Sequence, residues 1–316
     1  MKRILIISIS LLLSMFPGCR DNTVSSQPES TTETANIVSE TTEATTEAEV
    51  AEEHSSEQFS SFEEETEAAP EEESWLASRT FRLSSHRGAT PLAPENTIEA
   101  VKRAISCGYG AVELDPRRSA DGVIYLMHDD TVSRTTDGTG KIERMTSREI
   151  DALRIDTDGY PEYRGSDLRV ALFEDAVKEL SGHDIVLNVD CSKGNWEDED
   201  YIDQVMGILE KYKMAEKSFF VISDRDSRRL LHRKYPQACV SWLYKSSHDI
   251  EDEIEAIKEY PKALLSVKDK YASDRIIRKL NDSSIYYQIY AVDDYDRLEY
   301  LKDKGVPMVE TDDLLP

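Results

Sequence analysis

Two carboxylates spaced by one residue at the end of an apolar run are the first feature of this chain that could do chemistry. Glu113 and Asp115 close the run 111–115, Ala-Val-Glu-Leu-Asp. Alternate side chains of a strand share a face, so both acids point one way while Val112 and Leu114 point the other. Asp190 follows a second such run, Ile-Val-Leu-Asn-Val at 185–189. A charge inside a sheet covered on both faces is costly unless it is paired or metal-bound. The three acids therefore read as a cluster at strand ends that invites a cation, and oxygen-only donors favour Ca²⁺ or Mg²⁺ over zinc. A plainer reading leaves Glu113 and Asp115 in a solvated loop, neutralised by Arg117 or Arg118.

Two histidines occupy comparable places, His86 in Leu-Ser-Ser-His-Arg-Gly and His128 in Ile-Tyr-Leu-Met-His-Asp. A lone histidine at a strand end is often only structural. Beside the carboxylates the pair gains meaning, because two imidazoles across a metal-bound phosphate can divide the work of base and acid near neutral pH. Arg87 offers a planar fork for phosphate oxygens, and Gly88 leaves room for close backbone approach. His54, His183, His232 and His248 fall in the acidic N-terminal segment, a turn or helical surroundings and have no such company.

Elements able to position these groups run from about Trp75 to the C-terminus. Strand candidates at 83–85, 111–115, 123–127, 185–189, 219–222, 240–243, 264–267, 285–292 and 308–310 alternate with helical stretches at 173–180, 201–212, 226–234, 250–260, 273–280 and 295–304. Asn96-Thr-Ile-Glu99 carries the capping pattern of another helix start. Such alternation indicates a parallel sheet covered by helices, and a folded part of about 240 residues suits one closed α/β barrel. Nine candidates exceed the eight strands of such a barrel, and 264–267 is the first suspect for a strand outside it.

The remainder of the chain is not a domain. The N-terminus reads Met1-Lys-Arg, an apolar stretch at 4–16, then Pro17-Gly18-Cys19. This is an export signal, too short for a reliable membrane span. It resembles a bacterial lipoprotein signal, in which cleavage precedes the Cys and its thiol is acylated, although Phe16 stands where Leu is usual. Cys19 is then a lipidation site that anchors the protein at the cell surface, and an ordinary secreted protein is the alternative. Residues 20–74 hold 17 acidic groups against one Arg and few apolar residues, the composition of a disordered tether, and the linker is placed at 20–76. With 63 acidic against 38 basic residues and a net charge of −25, nucleic acid is not an expected partner. Four Cys rule out a disulfide scaffold, and the state of Cys107, Cys191 and Cys239 stays open.

Several ordered motifs together resemble the glycerophosphodiester phosphodiesterases: His86-Arg-Gly, Pro94-Glu-Asn-Thr, Glu113-Leu-Asp, His128-Asp-Asp-Thr-Val-Ser-Arg-Thr-Thr-Asp-Gly-Thr-Gly, Thr146-Ser-Arg-Glu, Val221-Ile-Ser-Asp and the tail Gly305-Val-Pro-Met-Val-Glu-Thr-Asp312. The likeness spans about 82–316. It implies a (β/α)₈ TIM barrel over 77–316, with the site at the C-terminal strand ends and an insertion at about 131–172, after the third strand, that helps form the glycerol pocket. His86 and His128 become the acid/base pair, Arg87 the phosphate holder, and Glu113, Asp115 and Asp190 the ligands of one divalent cation. Glu95 lies next to the site, either orienting Arg87 or touching the metal.

The implied activity is hydrolysis of glycerophosphodiesters to sn-glycerol 3-phosphate and an alcohol. The same chemistry on a glycerol-phosphate polymer such as teichoic acid is a second reading, and a non-catalytic barrel that binds phosphorylated surface ligands is a third. Two departures matter. Asp190-Cys191-Ser192 stands where the family has Glu, an apolar residue and Lys, and Lys193 should face away unless the strand bulges. Tyr290-Ala-Val-Asp293 replaces Trp-Thr-Val-Asn.

Overall fold

The computed structural model describes residues 74–316; the export signal, Cys19 and nearly all of the acidic segment lie outside the described residues. Its strands are β1 (Arg82–Ser85), β2 (Ala111–Leu114), β3 (Pro116–Arg118), β4 (Ile124–Leu126), β5 (Val186–Asp190), β6 (Ser218–Val221), β7 (Cys239–Leu243), β8 (Ala263–Lys268), β9 (Tyr286–Tyr290) and β10 (Met308–Thr311). Eight of them close a parallel barrel in the order β1-β10-β9-β8-β7-β6-β5-β2. The expected TIM barrel is present, but the strand outside it is not 264–267. That segment is β8, paired with β7 and β9, with Leu264 in the barrel interior and Leu265 and Val267 in the outer core. The outsider is β4, which pairs antiparallel with β3 in a two-stranded ribbon.

Helices cover the barrel because their apolar positions recur at helical spacing. They are α1 (Trp75–Ser78), α2 (Ile98–Cys107), α3 (Ser147–Asp151), α4 (Phe173–Leu180), α5 (Glu199–Lys211), α6 (Arg225–Lys234), α7 (Ile250–Ile257), α8 (Asp274–Asp282) and α9 (Tyr295–Asp303). On α2, Val101 and Ala104 are fully buried while Lys102 is exposed. The cap of α2 is Thr97, whose side chain accepts from the Ala100 amide at 3.1 Å. Asn96, expected at that position, is released for a role in the site.

Inside the barrel the strands stack layers of alternating character. The lower layer is apolar, with Ala111, Val186, Phe219, Cys239, Leu264, Tyr286 and Met308, and Trp75 of α1 packs with it. The indole stacks edge-on against Tyr286 at 5.2 Å between ring centres and donates to the Glu216 carbonyl at 2.9 Å. The folded part thus takes in Trp75, two residues before the boundary placed at 77. Trp75→Ala is expected to cost about 3–5 kcal/mol, as large aromatic truncations in cores do; urea unfolding with an unchanged m-value but a lowered midpoint would show it.

One layer higher the interior turns polar. Ser241 and Ser266 share a hydrogen bond of 2.9 Å, Gln288 donates to Ser266 at 2.9 Å, and Asn188 donates to Glu310 at 2.8 Å. Above this layer the C-terminal strand ends form the mouth.

Residues 131–172 follow β4 as a small module whose Val132, Ile142, Ile150, Leu153 and Val170 form one core with Tyr125 of β4 and Met127 just after it. The motif Thr146-Ser-Arg-Glu proves to be a reciprocal helix cap on α3, with Glu149 accepting from the Thr146 amide at 2.8 Å. Tyr160 ties the module to the rim after β1 by donating to the Thr90 carbonyl at 2.9 Å.

Candidate functional site

Two residues of spacing at the end of β2 bring Glu113 and Asp115 to the same inner face, and β5 delivers Asp190 beside them. Ligand oxygens of the three lie within 4.8 Å of one another. Glu113 and Asp115 are 2 % and 3 % exposed. Burial first, then the neighbouring carboxylate charges, hold Glu113 well above the usual carboxylate range and raise Asp115 as well. The solvated-loop alternative fails, because Arg117 is taken by Asp130 and Glu143, and Arg118 by Asp198.

Each acid is oriented by its surroundings. Glu113 accepts from the Arg87 amide at 2.8 Å through one oxygen, while the other oxygen is buried with no partner. Asn96, in a left-handed conformation, donates to Asp115 at 2.7 Å and accepts from the Asp115 amide at 3.2 Å. Asp190 accepts from the Ser192 amide at 2.6 Å and from its hydroxyl at 3.0 Å. A short acid held this way joins the cluster without any shift of the strand, whose pairing with β6 is regular through Asp190. An orphaned carboxylate oxygen among three like charges is the donor set that an oxygen-loving divalent cation satisfies.

Both histidines stand at this mouth, and a carboxylate fixes each ring. His86 Nδ1 lies 2.6 Å from Asp312, and its Nε2 is 3.9 Å from Glu113. Burial pulls the His86 imidazole down, but the bond to Asp312 and the charge of Glu310 outweigh it, so its pKa is raised. Asp312 is lowered in turn, chiefly by that hydrogen bond. Asp293 braces the arrangement by accepting from the Asp312 amide at 2.8 Å and the Thr311 hydroxyl at 3.1 Å. His128 Nδ1 lies 2.7 Å from Asp129, which Arg134 grips at 2.7 Å.

The stability carried by the His86–Asp312 pair is fully present between the ordinary carboxylate value, 3.8, and the ordinary imidazole value, 6.5. It fades below that window as Asp312 protonates and above it as His86 loses its proton. Asp312→Asn removes the charge that holds the imidazolium, so the His86 titration followed by NMR is expected to move to lower pH; an unmoved titration would mean that Asp312 does not set this group.

Lys193 corrects an expectation. The strand does not bulge, yet the chain bends after Ser192, with Gly194 at φ +90°, and brings the ammonium back over the mouth. Lys193 Nζ donates to the His128 carbonyl at 2.9 Å and lies 3.4 Å from both ring nitrogens. A cation therefore stands at the site although Ser192 carries none.

Glu95 orients arginines and is not among the clustered acids. It accepts from Arg87 at 3.1 Å and from Arg134 at 2.7 and 2.8 Å. Gly88 has φ +83°, and a Cβ there would meet Ala100 Cβ at 2.6 Å, so the close approach it permits is to α2. Reading the sequence residue by residue missed Asn96, Asp129, Arg134 and Asp312 as supports. Their signal was adjacency to the motifs, since each lies inside one of the matched runs.

Comparison with known proteins follows the same outline. Residues 86–315 match the Glycerophosphoryl diester phosphodiesterase family. Human glycerophosphodiester phosphodiesterase 1 is 37% identical over 106 residues, 34% of this chain and 32% of that protein. The chain thus spans about a third of the length of the mammalian relatives it matches. A glycerophosphodiester phosphodiesterase of Caldanaerobacter subterraneus is 27% identical over 161 residues, covering 51% of this chain and 65% of that one. An Oleispira antarctica phosphodiesterase, solved with the product sn-glycerol-3-phosphate, has a TM-score of 0.66 at 21% identity over 74% of this chain and 94% of its own. A glycerophosphodiester phosphodiesterase structure from Agrobacterium tumefaciens gives a TM-score of 0.63 at 24% identity over 74% and 97%. At these identities the structures speak for the barrel, while the family match runs through the motifs from His86 to the tail: the chain belongs to the glycerophosphoryl diester phosphodiesterase family.

Proposed function

We propose that the chain is a divalent-cation-dependent phosphodiesterase that hydrolyses glycerophosphodiesters to sn-glycerol 3-phosphate and an alcohol. The observation that carries this reading is the pairing of two carboxylate-held imidazoles with a three-carboxylate cluster and Arg87 at one barrel mouth. Glu113, Asp115 and Asp190 would hold Ca²⁺ or Mg²⁺, and the unpartnered Glu113 oxygen supports that fit. Such an ion, when bound, neutralises charge on phosphate oxygens and orients the diester.

The protein's own groups do the rest. Arg87, steadied by Glu95, presents its guanidinium to phosphate oxygens. His86, kept toward its charged form, suits the acid that protonates the departing alkoxide. His128 takes a proton from the nucleophile, water or the glycerol 2-hydroxyl, while Asp129 on Nδ1 holds its ring. Lys193 adds positive charge beside it, in place of the family lysine, which removes the main support for a barrel that only binds.

The test is release of sn-glycerol 3-phosphate from glycerophosphocholine and glycerophosphoglycerol by the full chain, with Ca²⁺ or Mg²⁺ and with EDTA. No release from either diester under any metal condition would overturn the reading. Export and acylation at Cys19 belong to the same proposal, supported by the N-terminal pattern alone. Cys19→Ser is expected to move the protein from the membrane fraction to the medium, and retention in the membrane would refute the anchor.

A further inference from the structure

The mouth is not equally furnished all round. On the β1–β2 side, Arg87, Glu95, Arg134 and Asp129 are engaged with one another, and the module at 131–172 is tied down over Thr90. Directly across the closed strand order from β2 stands β8. Its last residue is Lys268, paired in register with Tyr290 at the end of β9. Ser266 and Gln288, two residues earlier on these strands, bond to each other inside the barrel, so Lys268 and Tyr290 continue the same inner face into the mouth.

Lys268 has no acid to neutralise it among the described residues. The adjacent carboxylate, Asp269, is held by Arg297 at 2.7 Å. Tyr290, beside Lys268 in register, is near enough to the charges of Glu310 and Asp190 and to Tyr271 to be influenced by them. Tyr271 carries Lys270 over its ring at 4.7 Å, and Tyr244 packs edge-on against it at 6.4 Å. The neighbouring Lys270 and Ser246 side chains, with the charge of Lys268 behind them, draw the Tyr271 phenol below its ordinary value. In a chain of net charge −25, an unpaired lysine facing the reaction centre between two phenols is a place built for an anion.

We propose that Lys268, flanked by Tyr271 and Tyr290, is a subsite for a second negative charge on the alcohol part of the diester. This rests on the phosphodiesterase reading and narrows its substrate class. A diester seated on Arg87 and the carboxylate cluster fills the β1–β2 side, and its leaving alcohol extends toward β8. A phosphate carried by that alcohol meets the ammonium, whereas a quaternary ammonium there would be repelled. The anion comes either from the next unit of a glycerol-phosphate polymer or from a phosphorylated head group on a small diester; the chemistry at Lys268 is the same for both.

The test compares kcat/KM of the full chain on three diesters whose leaving groups differ in charge: glycerophosphoglycerol, a short glycerol-phosphate oligomer and glycerophosphoinositol 4-phosphate. At low salt the oligomer, the inositol phosphate diester or both are expected to exceed glycerophosphoglycerol by about tenfold, the effect of one charge-assisted hydrogen bond. The advantage should shrink as ionic strength rises. Lys268→Gln should collapse the ratio to near one, while Lys268→Arg keeps it. Preference for the oligomer alone assigns the anion to a polymer, and preference for both assigns it to any phosphorylated alcohol.

Equal turnover of all three diesters by the wild type at low salt would overturn the subsite and leave the phosphodiesterase reading standing. A ratio unchanged in a folded Lys268→Gln would do the same. Failure to turn over any of them would overturn both, and the salt dependence of the wild-type ratio tests the subsite even if the variants do not fold.

Discussion

Replacing either His86 or His128 by alanine is expected to lower turnover of a glycerophosphodiester by about 10² to 10⁴, the span a positioned acid or base contributes. The two losses should differ in kind. His86 sits deeper in the charge network, with Asp312 on one nitrogen and Glu113 facing the other. On the proposed roles its removal takes away the acid, so a diester with a better leaving group, such as a nitrophenyl ester, should recover much of the rate in His86→Ala. That substitution of leaving group should not rescue His128→Ala, where the base is missing. Each side chain is about a quarter exposed and neither belongs to the hydrophobic core, so both variants should stay folded, His86→Ala losing the stability of its pair with Asp312 but no core packing. Near-normal activity in either variant on every diester tried would show that histidine to be structural and would end the two-imidazole mechanism.

The carboxylate cluster is expected to give opposite signs for binding and for folding. Two buried acids and the half-buried Asp190 repel one another, and the raised positions of Glu113 and Asp115 mean that the metal-free folded state binds protons more readily than the unfolded chain. Stability of the metal-free protein should therefore fall as pH rises above the ordinary Glu value of 4.5, until these groups have ionised. Asp190→Asn removes one charge and should raise the melting temperature measured in EDTA. The same change should weaken Ca²⁺ or Mg²⁺ binding by isothermal titration and depress activity with it. Unchanged divalent affinity in Asp190→Asn would mean that the ion is held elsewhere. A melting temperature that does not rise would mean that water, not protein, already screens the three acids.

Much of this architecture is legible in the residues, and the misreadings have physical causes. Runs such as 111–115 and 185–189 announce strands because apolar side chains must face both a barrel interior and a helix layer. The misplaced strand was decidable: only seven residues separate Asp115 from Val123, too few for the crossover of a dozen or more that a parallel neighbour requires. Length between runs, not the character of 264–267, held the answer. The carboxylates and histidines were visible because charge at the end of an apolar strand needs a reason. Lys193 was not, since a bend after Ser192 depends on backbone angles at Gly194 and on the bonds Asp190 receives, neither of which a strand pattern encodes. Asp312 lies 226 positions from His86, and only closing the barrel through β1 and β10 brings them together.

Trp75 gives the barrel a direction. It fills the end opposite the mouth, so the described chain enters through the floor and its reactive opening faces the other way. Any load applied through the N-terminal side, whether a surface, a bead or a fused protein, pulls on the indole and its packing against Phe219 and Tyr286 before it reaches a single residue of the site. The floor acts as a mechanical fuse. A barrel held at Trp75 has its mouth on the far side, and under tension it should lose its plug before the strand ends that form the mouth are disturbed.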